Sequence, residues 1–444
     1  MSEKPDHLCV LVHGLWGNPD HLKYVSTTLS ETFPSEKLHV LVAARNSGSF
    51  TYDGIDTGGE RVAQEIEGKL EELAESGHNI TKISIIGYSL GGLISRYAIG
   101  LLYRRGIFDK IRPINFTTFA TPHLGVRTPL KGYHSHLWNV LGARTLSMSG
   151  RQLFGVDKFR DTGRPLLAVL ADSESIFIQG LSQFKHRSLY ANVVNDRTVT
   201  YYTAGISSTD PFVDLDKVKI NYIDNYDDVI VDREHTVSPR DPEEPLAFAQ
   251  RLTEGTKTVI GRASIVALLS VLVPVGVTAF LINSAFQSVR SHQRIRLHQQ
   301  GRSGIDYTHY RIPLMINAVR REAENMYGNA NHAQSQEYLS NGSEEGTSLS
   351  QQKTLGNAHK TGSDTEVDSI QAQKEEANLK FPTLALTPEQ FKMIDALDNV
   401  GFKKHPVHIH NHRHSHAAII VRMQKESFNE GKIVIQHWLD NFEL

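Results

Sequence analysis

Lys82-Ile83-Ser84-Ile85-Ile86-Gly87-Tyr88-Ser89-Leu90-Gly91-Gly92-Leu93 sets an apolar run, a serine between glycines and the start of a helical pattern in succession. Residues 87–91 match the G-x-S-x-G pattern of a strained strand-to-helix turn that lifts a nucleophilic hydroxyl above a sheet. Bulky side chains two positions either side of Ser89 would collide with neighbouring backbone, which is why glycines stand there. The same turn aims a helix N-terminus at the serine, so the Leu90 N–H can hold an oxyanion. The alternative, a glycine-rich turn with an incidental serine, lacks the strand and helix that flank this one.

Toward the N-terminus, the apolar run Cys9-Val10-Leu11-Val12 leads into His13-Gly14-Leu15-Trp16-Gly17. A loop of this type supplies a second oxyanion donor, here the N–H of Leu15 or Trp16. On the other side, an acid and then a base should follow the serine in chain order. Asp196 comes directly after the β-like stretch SLYANVV, where parallel sheets carry functional side chains; the competing reading is an Asn-Asp turn. For the base, His235 (DREHTVSP) is well spaced, but the sheet's last strand and helix must still be found. They are expected around Pro406–Ile409 and Ile433–Phe442, and the loop between them selects the cluster His408, His410, His412, His414 and His416. His416 is favoured, with His235 and His414 as alternatives. Alternate histidines on one side of an extended strand also suit zinc or copper, although no cysteine or HExxH helix accompanies them.

The first ~245 residues alternate β-branched runs with helix-period stretches, which predicts a mostly parallel sheet wrapped by helices. Strands are expected at 8–12, 39–43, 82–86, 114–119 and 188–194, with helices over 59–74 and 93–105. The interval 125–185 is long for a crossover, and its bulky residues suit a cap over a site or, alternatively, a plain core helix pair. Residues 246–327 read as a membrane-associating segment with a basic flank (Arg290, Arg294, Arg296), built on the uncharged run 263–282. Residues 328–378 turn to Asn, Ser, Gln, Glu, Gly and Lys and are expected to be disordered. Order resumes over 379–444, completing the fold begun in 1–245.

Lys+Arg (47) nearly balances Asp+Glu (49), which argues against binding nucleic acid by neutralising phosphates. The single cysteine, Cys9, permits no intrachain disulfide and reads as a small core side chain. The polar, acidic start of the chain has no secretory pattern, so a cytosolic-side location is expected.

Together LVHGLWGN, SIIGYSLGGLISRYA, FATPHLGV, FKHRSLYANVVNDRTVTYYTA, HSHAAIIVR and VIQHWLDNF resemble the putative serine esterase family of α/β-hydrolases, especially its fungal lipid-droplet phospholipase members. The resemblance covers roughly residues 6–245 and 380–444. It implies a Ser89–Asp196–His416 triad, glycerophospholipid or other acyl-ester substrates, and no cofactor or metal. The long interruption between about 245 and 380 departs from simpler members.

If Asp196 and His416 meet, both flanks of the run 263–282 lie on one side of any membrane. Pro274 and Gly276 break the run into two arms of about ten residues, each ~16 Å long. That is about half the hydrocarbon core, so a hairpin dipping into one leaflet is expected, with the arginines at the headgroups. A buried soluble helix is the other reading. A lipid droplet's cytosolic face, or alternatively the ER membrane, is the expected location. Two further readings share much of this sequence: a thioesterase or small-ester carboxylesterase, and a membrane-anchored non-catalytic scaffold.

Overall fold

Every residue of β1 (His7–Val12) is buried, because an unbroken apolar strand belongs inside a sheet covered on both faces. The computed structural model describes residues 6–33, 37–127, 147–196, 198–239, 289–300, 381–412 and 414–444. After β1 come β2 (Leu38–Val42), β3 (Lys82–Tyr88), β4 (Arg112–Phe119) and β5 (His186–Asn192). A separate antiparallel hairpin follows, β6 (Val218–Ile220) and β7 (Val237–Pro239), and then β8 (Lys403–Val407). The six-stranded sheet runs β2-β1-β3-β4-β5-β8, and each neighbouring pair is parallel.

Between β1 and β2 lies α1 (Lys23–Thr32), between β2 and β3 lies α2 (Ile55–Glu75), and β3 turns directly into α3 (Leu90–Arg104). Side chains alternate along each strand. Leu8, Val10 and Val12 face one core with Ile83, Ile85 and the inner stripes of α2 and α3. Cys9 and Leu11 face the other, with Ile86, Phe119, Tyr190 and Val25 of α1.

Residues 128–146 of the interval expected to form a cap lie outside the described residues. The described remainder of the interval is helical. It folds as α4 (Met148–Leu153), α5 (Leu166–Leu170) and α6 (Ile176–Ser182), whose Leu153, Leu166, Phe177 and Leu181 join the core of α2 and α3. Phe177 of α6 lies so close to α3 that a Cβ on Gly100 would meet its ring at 2.3 Å. The described bulky residues of the interval thus pack with α2 and α3.

A short α7 (Tyr201–Ala204) follows the loop after β5, and the C-terminal part supplies α8 (Pro388–Val400), α9 (Ser415–Ala418) and α10 (Asn429–Asp440). Its strand begins at Lys403 and ends at Val407, earlier than the expected 406–409. Trp438 of α10 is buried on the sheet and its indole N–H donates to Thr117 of β4 at 3.2 Å. Sheet and helix layers are thus incomplete without residues 403–440.

The uncharged run 263–282 lies outside the described residues, as does 328–378. Among the described residues no helix is long and apolar enough to cross a membrane. Residues 289–299 are helical. Arg294 is not directed to headgroups: its guanidinium binds both oxygens of Asp53 at 2.8–3.1 Å. Asp53 is fully buried and is bound by Arg61 as well as by Arg294.

Candidate active site

From β1 the chain moves outward to β2 and then returns to β3 on the other side, so the strand order reverses between β1 and β3. In open α/β sheets ligands bind beyond the carboxyl ends of the strands at such a point. The loop after β1 is His13–Gly17 and the turn after β3 is Ser89.

Ser89 adopts φ 55° and ψ −127°, a conformation that strains a residue with a Cβ by about 1–3 kcal/mol. Its backbone is held on both sides. The N–H donates to Phe119 O at 2.9 Å, while the carbonyl accepts from Gly92 N–H at 3.1 Å and the Thr121 hydroxyl at 2.9 Å. The flanking glycines are required by contact. A Cβ on Gly87 would lie 2.4 Å from Gly92 Cα, and one on Gly91 would lie 2.2 Å from Val12 O. Because backbone meets backbone at Gly91, Gly91→Ala should destabilise the fold by about 2 kcal/mol or more. Thermal or urea unfolding measures this; a change below about 0.5 kcal/mol would show that the turn yields.

Three distant parts of the chain converge on the serine. His416, in α9, places Nε2 3.0 Å from Ser89 Oγ and Nδ1 2.8 Å from Asp196 Oδ2. A carboxylate only accepts, so Nδ1 carries the proton and Nε2 is free to accept from the serine hydroxyl. Asp196 is nearly inaccessible, and its other bonds come from the N–H groups of Thr198 and Val199 and from Asn192 Nδ2. Burial alone would raise its carboxyl. The His416 charge and these hydrogen bonds outweigh burial and hold it below its ordinary value. Two residues not singled out from sequence steady the base. The Tyr88 hydroxyl donates to His416 O at 2.9 Å, and the Ser415 hydroxyl donates to Val194 O at 2.8 Å. Tyr88 is the variable residue of the turn motif, so only the folded arrangement reveals this part.

His235 is 81% exposed, with Asp232 at 3.8 Å as its acidic neighbour; it is not brought to Ser89. His414 is exposed and also makes no bond to the pair. The cluster does not lie on a strand, because β8 ends at Val407, although His408 and His410 sit side by side with ring centroids 3.7 Å apart. His408 meets the Tyr222 hydroxyl at 2.6 Å and His410 meets Glu430 at 3.0 Å. Among the described residues no group of three or more His, Cys, Asp or Glu is placed to hold a metal ion.

The loop after β1 comes as close as its glycine allows: a Cβ on Gly14 would sit 2.8 Å from Ser89 Cβ. Leu90 is the first residue of α3, where an N–H has no intrahelical partner. Trp16 must be struck from the candidate oxyanion donors. Its N–H donates to the Thr51 hydroxyl at 3.0 Å, leaving Leu15 and Leu90 as the pair. A serine, an oriented imidazole and two N–H groups suffice for acyl transfer.

Residues 2–209 match the family described as "Putative serine esterase (DUF676)", the family that the motifs resemble. "Putative lipase ROG1" of Saccharomyces cerevisiae is 35% identical over 228 residues, 49% of this chain and 32% of that protein. "Putative lipase C4A8.10" of Schizosaccharomyces pombe is 30% identical over 211 residues, 46% and 26% of the two chains. The chain thus spans about a third or less of the length of these relatives. A solved structure, the putative cell surface hydrolase from Lactobacillus plantarum, is 12% identical over 46% of this chain and 75% of its own, with a TM-score of 0.27. The α/β-hydrolase fold rests on the sheet order, the turn at Ser89 and the Ser–Asp–His chain order.

Proposed function

We propose that this chain is a lipase-type serine hydrolase that cleaves acyl ester bonds of glycerophospholipids through an acyl-enzyme. His416 Nε2 takes the Ser89 proton as Oγ attacks the ester carbonyl, and Asp196 holds the imidazole in the reactive tautomer. The Leu15 and Leu90 N–H groups stabilise the oxyanion. The protonated imidazole then gives its proton to the leaving alcohol, and later activates water to release the fatty acid. The hydrogen-bonded line from Ser89 Oγ through His416 to Asp196, at 3.0 and 2.8 Å, carries this reading.

A lipid substrate is supported by the names of the relatives and by the uncharged run 263–282. It is also supported by Trp16, which is 56% exposed in the loop that touches Ser89. The proposed site of action is the cytosolic face of a lipid droplet or, alternatively, the ER membrane. Residues on both sides of the run belong to one folded body, so the run is proposed to enter a single leaflet rather than span.

The test is fluorophosphonate labelling with and without Ser89→Ala, followed by hydrolysis of phosphatidylcholine vesicles and a short soluble ester. Labelling should vanish in the variant, and the wild type should release fatty acid from vesicles. Turnover of the short ester alone would favour the small-ester reading. A folded wild type that neither labels nor hydrolyses would be the scaffold.

A further inference from the structure

The turn of residues 48–53 touches the oxyanion loop on one side and the helical residues 289–299 on the other. Toward the loop, Gly48 N–H donates to Gly17 O at 2.8 Å and the Thr51 hydroxyl accepts from Trp16 N–H at 3.0 Å. Thr51 in turn donates to Gly48 O at 2.6 Å, and the Ser149 hydroxyl holds Thr51 O at 2.6 Å. Trp16 is held at φ 55°, a left-handed conformation that costs a tryptophan energy unless partners fix it. It directly follows Leu15, so the bond that holds Trp16 fixes the peptide next to the one that carries the Leu15 N–H.

Toward the helix, Arg294 binds both Asp53 oxygens and donates to Ser49 O at 2.8 Å. Ser291 donates to Asp53 Oδ1 at 2.7 Å and lies 3.3 Å from Tyr52 O. The contact is built, not incidental. Ser291 and His298 are both buried, and His298 Nε2 lies 2.6 Å from Glu60. Asp53 would not need Arg294 for neutralisation alone, since Arg61 already binds it at 2.7 Å. The added bonds from Arg294 and Ser291 fix the backbone of the turn.

We propose that Thr51 and Arg294 are positioning residues for the oxyanion hole. Thr51 holds Trp16 so that the Leu15 N–H faces the tetrahedral oxygen, and Arg294 holds the turn that carries Thr51. The segment that follows the uncharged run thereby sets the activity of a site to which it contributes no reacting group. This inference rests on the serine-hydrolase reading above, with Leu15 as donor.

The experiment uses the full chain and p-nitrophenyl butyrate, with active sites titrated by a fluorophosphonate so that kcat is counted per competent site. Misplacing one donor by about an ångström costs about a hundredfold. Thr51→Val should therefore lower kcat about ten- to a hundredfold, and Arg294→Ala several-fold, with KM changed less than about twofold. Thr51→Ser, which keeps the hydroxyl, should restore kcat. In the double variant the losses should fall short of additive, because both act through one bond. Hydrogen exchange of the peptide containing Trp16 should accelerate in Thr51→Val and in Arg294→Ala. A purely structural role would lower the number of titratable sites and leave kcat per site unchanged. Folded variants with unchanged kcat per site and unchanged exchange would overturn the proposal. A wild type inert toward both ester and probe would overturn the hydrolase reading, and exchange would still decide the coupling.

Discussion

Replacing His416 with alanine should lower kcat on a soluble ester about a millionfold, and adding Ser89→Ala should cost almost nothing more. A hydroxyl with no base is as inert as a base with no hydroxyl, so the two losses overlap. Asp196→Asn should cost about 10⁴-fold. The asparagine amide would donate toward Nδ1, move the imidazole proton to Nε2 and leave no lone pair for the serine. The fold should persist, because an asparagine oxygen still accepts from the Thr198 and Val199 N–H groups. His235→Ala should behave as wild type, since that side chain is 81% exposed and away from Ser89. Steady-state kinetics on protein with a verified melting transition measures all four. Additive losses for Ser89 and His416, or a loss at His235, would remove the triad as drawn.

The sheet was legible because its strands obey a two-sided burial rule. β1 and β3 are apolar on both faces, and the five early strands fall within two residues of where their runs predict. The cluster from His408 to His416 followed from topology: a parallel sheet lacking a last strand and helix must find them at the C-terminus, with the base expected between them. Ser89 was readable because its steric needs, glycines packed on Val12 O and Gly92, leave a trace in sequence. The β6–β7 hairpin left none, its strands being three residues each.

What stayed hidden depends on partners far apart in the chain. Nothing in the sequence around Trp16 tells that its N–H is engaged by Thr51, and an unengaged N–H is what an oxyanion hole requires. Arginines after an apolar run read as a membrane flank, and only the buried Asp53 reveals that Arg294 turns inward. The short helices of 148–182 announce burial without stating which surface buries them, so a helical layer and a cap give the same hydrophobic signal.

Lowering the pH from 7 to 4 should steadily destabilise the protein. Burial is the chief cause that pushes the imidazoles of His7 and His437 down to about 4 and those of His405 and His408 down to about 3. Burial, with Arg96 beside it, also holds His123 well below its usual value. These histidines are neutral in the fold and protonate when it opens. Their contribution is present above about pH 6.5, the ordinary histidine value, and is lost as pH falls toward the folded values. Asp157 and Asp210 oppose this, because burial raises both to about 6 and the fold then keeps protons that the open chain releases. The lowered histidines outnumber these two carboxyls, so unfolding takes up protons and stability falls as the pH drops below about 6.5. His405 stacks on Tyr190 and faces His437, with ring centroids 4.9 and 4.8 Å away. His405→Leu removes one of these protons, so it should flatten the slope. Urea unfolding from pH 7 to 4 reads the slope directly. A flat profile down to pH 4, or an unchanged slope in His405→Leu, would mean that the buried imidazoles reach protons without unfolding.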